Sequence, residues 1–141
     1  MSVVQFAYLC NQRILLTADA GRGTLTEAAD FAPTIGLLLP GIDRFQVPHH
    51  GSRRNVSTEV LDRWLGPRVA TPLLQPRFEA YNSSARADED HPRKSVIRAI
   101  HHRGGRFYDT KRGSIQSRVA TTPNRGWGSA AESPYPEDQE A

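Results

Sequence analysis

The sequence predicts a mixed α/β fold followed by a disordered acidic tail, and three observations carry that prediction. Short β-branched and aromatic runs (Ser2 to Cys10, Arg13 to Thr17, Asp43 to Val47) are interspersed with stretches whose apolar residues recur at helical spacing. An aspartate and two adjacent histidines fall just beyond runs read as strands, where ligands of α/β sheets usually bind. From Thr122 onward Pro, Gly, Ser and acidic residues displace the apolar pattern. The 141 residues suit one domain, read as residues 1–121, with a disordered tail over residues 122–141.

The elements are expected in the following order. Ser2 to Cys10 reads as a strand, Asn11-Gln12 as a tight turn, and Arg13 to Thr17 as a second strand, apolar almost throughout and so buried on both faces. Cys10 should pack as a small apolar strand end. Thr24 and Glu27 fit a capping box before a helix with Leu25, Ala28, Ala29 and Ala32 on one face, ended by Pro33. Thr34 to Gly41 fits no single pattern. Asp43 to Val47 is a strand that feeds the two histidines. Asn55 or Ser57 caps a helix whose face is Val60, Leu61, Trp64 and Leu65, stopped by Gly66-Pro67. Arg68 to Leu74 reads as a further strand and Gln75 to Asp90 as polar and irregular. Pro92 suits the first position of a helix showing Val96, Ile97 and Ile100 and ending at Gly104. Arg106 to Tyr108 and Ser114 to Val119 suggest a closing hairpin.

The formal net charge is +3; the tail carries −3, which leaves +6 on the body, mostly arginine. A basic body is compatible with nucleic acid as substrate or partner, and equally with the basic composition of GC-rich genomes. One cysteine excludes an internal disulfide and is consistent with the cytoplasm. Val3 to Cys10 is too short to span a membrane.

Four groups can carry chemistry. The two oxygens of Asp19 can bridge two divalent ions, although aspartates after strands also cap loops. Neutral imidazole is the commonest ligand for zinc-like ions. Adjacent residues on extended backbone point oppositely, so only one of His49 and His50 should face a metal. Gly51 permits close backbone approach, and the Ser52 hydroxyl can donate to a phosphate oxygen. His91 opens a helix, where backbone N–H groups favour an anion. Asp88, Glu89 and Asp90 beside it should raise its pKa and oppose a phosphate. His101 and His102, at a helix end, are assigned no catalytic role.

Leu15-Leu16-Thr17-Ala18-Asp19, Pro48-His49-His50-Gly51-Ser52 and His91-Pro92 resemble, in that order, the metallo-β-lactamase superfamily in its DNA-uptake competence (ComEC-type) branch, from about the first residue to about Gln116. The superfamily's His-x-His-x-Asp-His motif is absent. The resemblance therefore implies the C-terminal half of an αββα sandwich. It implies two divalent ions, zinc or manganese, with Asp19 bridging them and His49 completing one shell. His50 and His91 would steady developing charge, and Ser52 would meet the substrate. The implied reaction is hydrolysis of a phosphodiester, DNA among the candidates. The implied partner is an upstream half-domain or a second copy of the chain. The implied location is the cytoplasm, or a soluble domain of a membrane-associated system. The alternatives are a non-catalytic truncated remnant, a basic nucleic-acid-binding module, and a structural partner of a longer homologue.

Overall fold

In the computed structural model, which describes residues 2–138 and Glu140, the chain forms one five-stranded sheet with three α-helices. The strands are β1 (Gln5–Leu9), β2 (Gln12–Leu16), β3 (Arg44–Gln46), β4 (Phe78–Asn82) and β5 (Gly105–Asp109). The helices are α1 (Arg22–Phe31), α2 (Thr58–Leu65) and α3 (Lys94–His101). Spatial order equals sequence order, with β1 antiparallel to β2 and every later pair parallel. Each helix thus bridges two parallel neighbours. The buried residues of all three helices join one core with the inward residues of the strands, so the helices lie on one face of the sheet, as same-handed crossovers between successive parallel neighbours require.

That face holds the core. Leu15, Phe45, Phe78, Ala80 and Phe107 alternate inward along the strands and meet Leu25 and Ala29 of α1, Val60, Leu61, Trp64 and Leu65 of α2, and Val96 and Ile100 of α3. Ser57 caps α2 by accepting from the Val60 amide at 3.3 Å, and Gly66 ends it. Trp64, buried in this layer, donates its indole N–H to the Leu25 carbonyl at 3.1 Å. Beneath α2, Arg103 is almost wholly buried and pairs with Asp62 at 2.5 Å.

The other face is polar. Arg44 pairs with Glu79 at 3.5 Å and donates to Ser117, Tyr81 donates to Glu79, and the Tyr81 and Tyr108 rings stack 5.8 Å apart. Burial and the bond to Glu79 push the Tyr81 phenol up to about 12. Residues 115–118 and 129–132 lie against this face and border an open pocket of about 400 Å³. Strand β2 is therefore buried on the helix face only, and Leu16 is 43% exposed.

Several expected elements differ. The β1–β2 turn is Cys10-Asn11, both at positive φ, as a twist-matched two-residue hairpin requires. Cys10 is accordingly exposed and not packed. The Thr24 capping box does not form, because α1 starts earlier, with Gly21 at its N-cap and no side-chain cap. Arg68 to Leu74 is not a strand, and β4 lies instead at Phe78–Asn82, within the stretch read as irregular. There Phe78, Ala80 and Asn82 alternate inward and supply the sheet partner that β3 needs. No strand forms at Ser114 to Val119; β5 is bridged on its outer side by Glu132.

Of the tail, expected to be disordered, residues 133–138 and Glu140 lie along α3. Ser133 donates its amide to Phe107 O at 2.7 Å, Arg98 donates to Pro136 O and sits 4.6 Å from the Tyr135 ring centroid, and Tyr135 bonds to His102. Glu140 accepts from the Lys94 amide at 2.7 Å and the Ser95 amide at 3.5 Å, and pairs with Arg93 at 3.2 Å. The carboxylate therefore caps α3, where the helix dipole favours negative charge. Burial raises the Glu140 pKa, but the two amides and Arg93 outweigh it and hold the carboxyl below its ordinary value. Burial likewise depresses His101, whose Nε2 donates to the Ser133 carbonyl.

These two groups set a pH dependence. The folded state binds less proton at His101 than the unfolded chain does, so stability is undiminished above the ordinary value of 6.5 and declines as pH falls below it. Glu140 adds a second loss below its ordinary 4.5, as its folded form is protonated. We expect Glu140→Gln to cost about 1 kcal/mol at neutral pH and to reduce the acid-side loss, to which Asp43 and Asp88, also held below their ordinary values, still contribute, measured by urea unfolding across pH.

Candidate functional site

The loops that leave β2, β3, β4 and β5 all open at the same, C-terminal edge of the parallel strands, and they carry the residues singled out by sequence. The first two are tied together by backbone. Gln46, last in β3, turns its side-chain oxygen to the amides of Thr17 at 2.8 Å and Ala18 at 3.0 Å, while Thr17 Oγ1 donates to Gln46 O at 2.8 Å. The His49 amide donates to Ala18 O at 2.9 Å. Asn55 then donates to the carbonyls of Asp19 and Ala20 at 3.3 and 3.1 Å.

This lattice brings Asp19 and His49 face to face. His49 Nδ1 stands 3.6 Å from Asp19 Oδ1, and both side chains are about half exposed, at 48% and 62%. Two donors sharing one tetrahedral ion at bonds of about 2.1 Å lie about 3.4 Å apart, so the pair is spaced to hold a zinc-like ion jointly. Two donors fill only half of such a shell. Among the described residues no group of three or more His, Cys, Asp or Glu side chains is placed to hold a metal. The described residues thus bring two donors of metal-ligating type to a distance that one ion could share.

The histidine pair does not follow the extended geometry expected of it. Both His49 and His50 have positive φ in a short 3₁₀ segment, Pro48–Gly51, so their rings do not diverge; the centroids are 5.8 Å apart. His50 Nδ1 bonds to the carbonyl of Ser83, in the loop after β4. A carbonyl only accepts, so Nδ1 carries the proton and Nε2 is left to act elsewhere. Ser52 is buried at 7%, and its hydroxyl oxygen accepts from the Arg54 amide at 3.3 Å.

His91 lies before α3 and not at its start, since the helix begins at Lys94 and a cis His91–Pro92 bond precedes it. The loop is docked on the histidine turn: the Arg93 amide donates to Gly51 O at 3.1 Å, and a Cβ placed on Gly51 would sit 2.5 Å from Pro92 Cβ and 3.3 Å from the buried Asn82 Oδ1. Gly51 has φ +85, a second reason for glycine there. Gly51→Ala is expected to cost about 2–4 kcal/mol, measured by denaturant unfolding, and to part the two loops.

Two neighbours of His91 were not recognised from sequence as useful. Asp88, read as crowding, accepts from the His91 amide at 3.0 Å and from His91 Nδ1 at 3.2 Å. Its burial acts to raise the pKa, but the amides of His91 and Asp90 and the imidazole outweigh that and lower it. Lys111, read as part of a turn, donates from Nζ to the carbonyls of both Asp88 and His91. The spacing of Asp88 three residues before His91 was the available signal; nothing local in sequence points from Lys111 to either.

No protein-family model, curated protein or solved structure matches the chain. Among the described residues no helix is long and apolar enough to cross a membrane.

Proposed function

We propose that the chain supplies the C-terminal half of a metal-dependent hydrolase of the metallo-β-lactamase type, acting on a phosphodiester. The observation that carries this reading is the Asp19–His49 pair, 3.6 Å apart at the C-terminal edge of the parallel strands, with His50 and His91 on loops bonded into the same lattice. The sheet face opposite the helices, where the other sheet of an αββα sandwich would pack, is polar and is crossed here by the chain's own residues 115–118 and 129–132. The arginine-rich body suits a polyanionic substrate.

On this reading Asp19 and His49 would hold one side of a divalent centre, zinc or manganese, whose remaining donors come from outside these residues. The metal, when bound, supplies a hydroxide at neutral pH and Lewis acidity toward phosphorus. The chain's own work is positional. Gln46 holds the Asp19 loop against the His49 loop. Ser83 holds His50 with Nε2 available, and protonated there, His50 can donate to a phosphoryl oxygen as charge develops. His91 is available in the same way. Ser52, buried, supports the turn.

The test is hydrolysis of bis-p-nitrophenyl phosphate with added manganese. The 141-residue chain alone should show no turnover above its Asp19→Ala variant. The reading frame extended upstream of the Met1 codon, expressed whole, should turn the substrate over. An extended protein that binds manganese and hydrolyses no phosphodiester would sink the proposal.

A further inference from the structure

Resting on the reading of His91 as a group that acts on substrate, we propose that Asp88 and Lys111 are its positioning residues: together they hold the imidazole with its proton on Nδ1 and its lone pair on Nε2. The carboxylate of Asp88 is itself fixed. Its Oδ1 accepts from the amides of Asp90 and His91, each at 3.0 Å, which leaves Oδ2 facing His91 Nδ1 at 3.2 Å. A carboxylate accepts and does not donate, so the nitrogen facing it carries the hydrogen. A neutral imidazole has a single N–H, so Nε2, on the side of the ring away from Asp88, bears the lone pair. Carboxylate partners of this kind fix the tautomer and ring orientation of working histidines.

Lys111 closes the same turn from the opposite side. Its ammonium donates to the carbonyls of Asp88 and His91, the two residues that bear the pair, and it makes no ion pair among the described residues. The lysine is set by the end of β5. Asp109, 4% exposed, accepts from the Lys111 amide at 3.1 Å and from Ser84 Oγ at 2.7 Å, and Thr110 Oγ1 bonds to both the amide and the carbonyl of Ser84 at 3.0 Å. The ends of β4 and β5 are therefore locked together, and the Lys111 side chain reaches from that lock to the His91 loop. His50 repeats the arrangement independently, with Nδ1 on the Ser83 carbonyl. Two histidines on two loops are thus held in the same tautomer by unrelated acceptors.

The experiment is ¹⁵N NMR of the histidine rings in the full chain, above the usual histidine pKa range and with neither metal nor substrate present. The expected result is the Nδ1–H tautomer at His91. In Asp88→Asn the side-chain oxygen can stay on the backbone amides while the NH₂ faces the ring, so His91 should switch to Nε2–H. Lys111→Met should give an averaged His91 signal, and Lys111→Arg should restore the wild-type one. His50 should keep its tautomer in every variant and so reports that the fold is retained. A wild-type His91 in the Nε2–H form, or a tautomer unchanged in Asp88→Asn and Lys111→Met, overturns the proposal, even if both variants melt earlier. If Asp88→Asn does not fold, the wild-type tautomer and the Lys111 pair decide the matter. Because the sample holds no metal or substrate, failure of the hydrolase reading would leave this result standing, and the reverse.

Discussion

Asp62→Ala is expected to lower stability by about 3 kcal/mol and the melting temperature by about 10 °C. Arg103 is 1% exposed at its side chain and spends its donors on Asp62 Oδ1 at 2.5 and 3.0 Å, Ala99 O at 2.8 Å and Thr58 O at 3.3 Å. Removing Asp62 leaves a buried guanidinium with carbonyls alone, and an uncompensated buried charge costs about 3–5 kcal/mol. Asp62 is 36% exposed, so water can partly replace it, and the lower end of that range applies. For a domain whose total stability is about 5–15 kcal/mol this is a large fraction. The pair itself is not the source of net stability. Replacing both, as in Asp62→Leu with Arg103→Met, should recover most of the loss, because the desolvation cost of the two charges disappears with them. A double variant as unstable as the sum of the singles would show that the two residues do not act as a pair.

Asp19→Ala is expected to reduce phosphodiester hydrolysis by the extended protein about 10³-fold or more while leaving its melting temperature within about 2 °C. The rate effect follows because a bound metal supplies several kcal/mol of transition-state stabilisation and a tenfold rate change is about 1.4 kcal/mol. The small thermal effect follows because the Asp19 carboxylate is 62% exposed and accepts no hydrogen bond from the described residues, whereas its backbone carbonyl, which Asn55 uses, survives the substitution. His49→Ala should behave alike. A large drop in melting temperature with unchanged turnover per folded molecule would instead make Asp19 a loop cap.

Much of this was legible because it rests on local chemistry. The β1–β2 hairpin follows from two β-branched and aromatic runs around a two-residue turn. The buried face of α2 follows from Val60, Leu61, Trp64 and Leu65 at helical spacing, and its ends from Ser57 and Gly66. The loop positions of Asp19 and His49 follow from the apolar runs before them. What was not legible depended on distant partners. Strand β4 is defined by parallel neighbours on both sides, and its Phe78-Glu79-Ala80-Tyr81-Asn82 is too mixed to stand out alone. Residues 132–138 and Glu140 look like solvated tail until α3 offers an uncapped N-terminus and Arg98, His101 and His102 on its side. The turn of His49 and His50 into positive φ was missed because such backbone is uncommon for residues other than glycine. The tie between Lys111 and His91 spans loops after different strands, which no local pattern encodes.

The most direct test is a zinc titration of the chain followed at the His49 ring by NMR. A full structural zinc site is worth about 10–16 kcal/mol, so a half-filled shell should contribute about 5–8 kcal/mol, a Kd in the micromolar to sub-millimolar range. The expected result is fast, weak binding that shifts His49 and is lost in Asp19→Ala. Tight one-to-one binding that survives Asp19→Ala, or zinc that leaves His49 unmoved, would contradict the assignment of Asp19 and His49 as half of a metal centre.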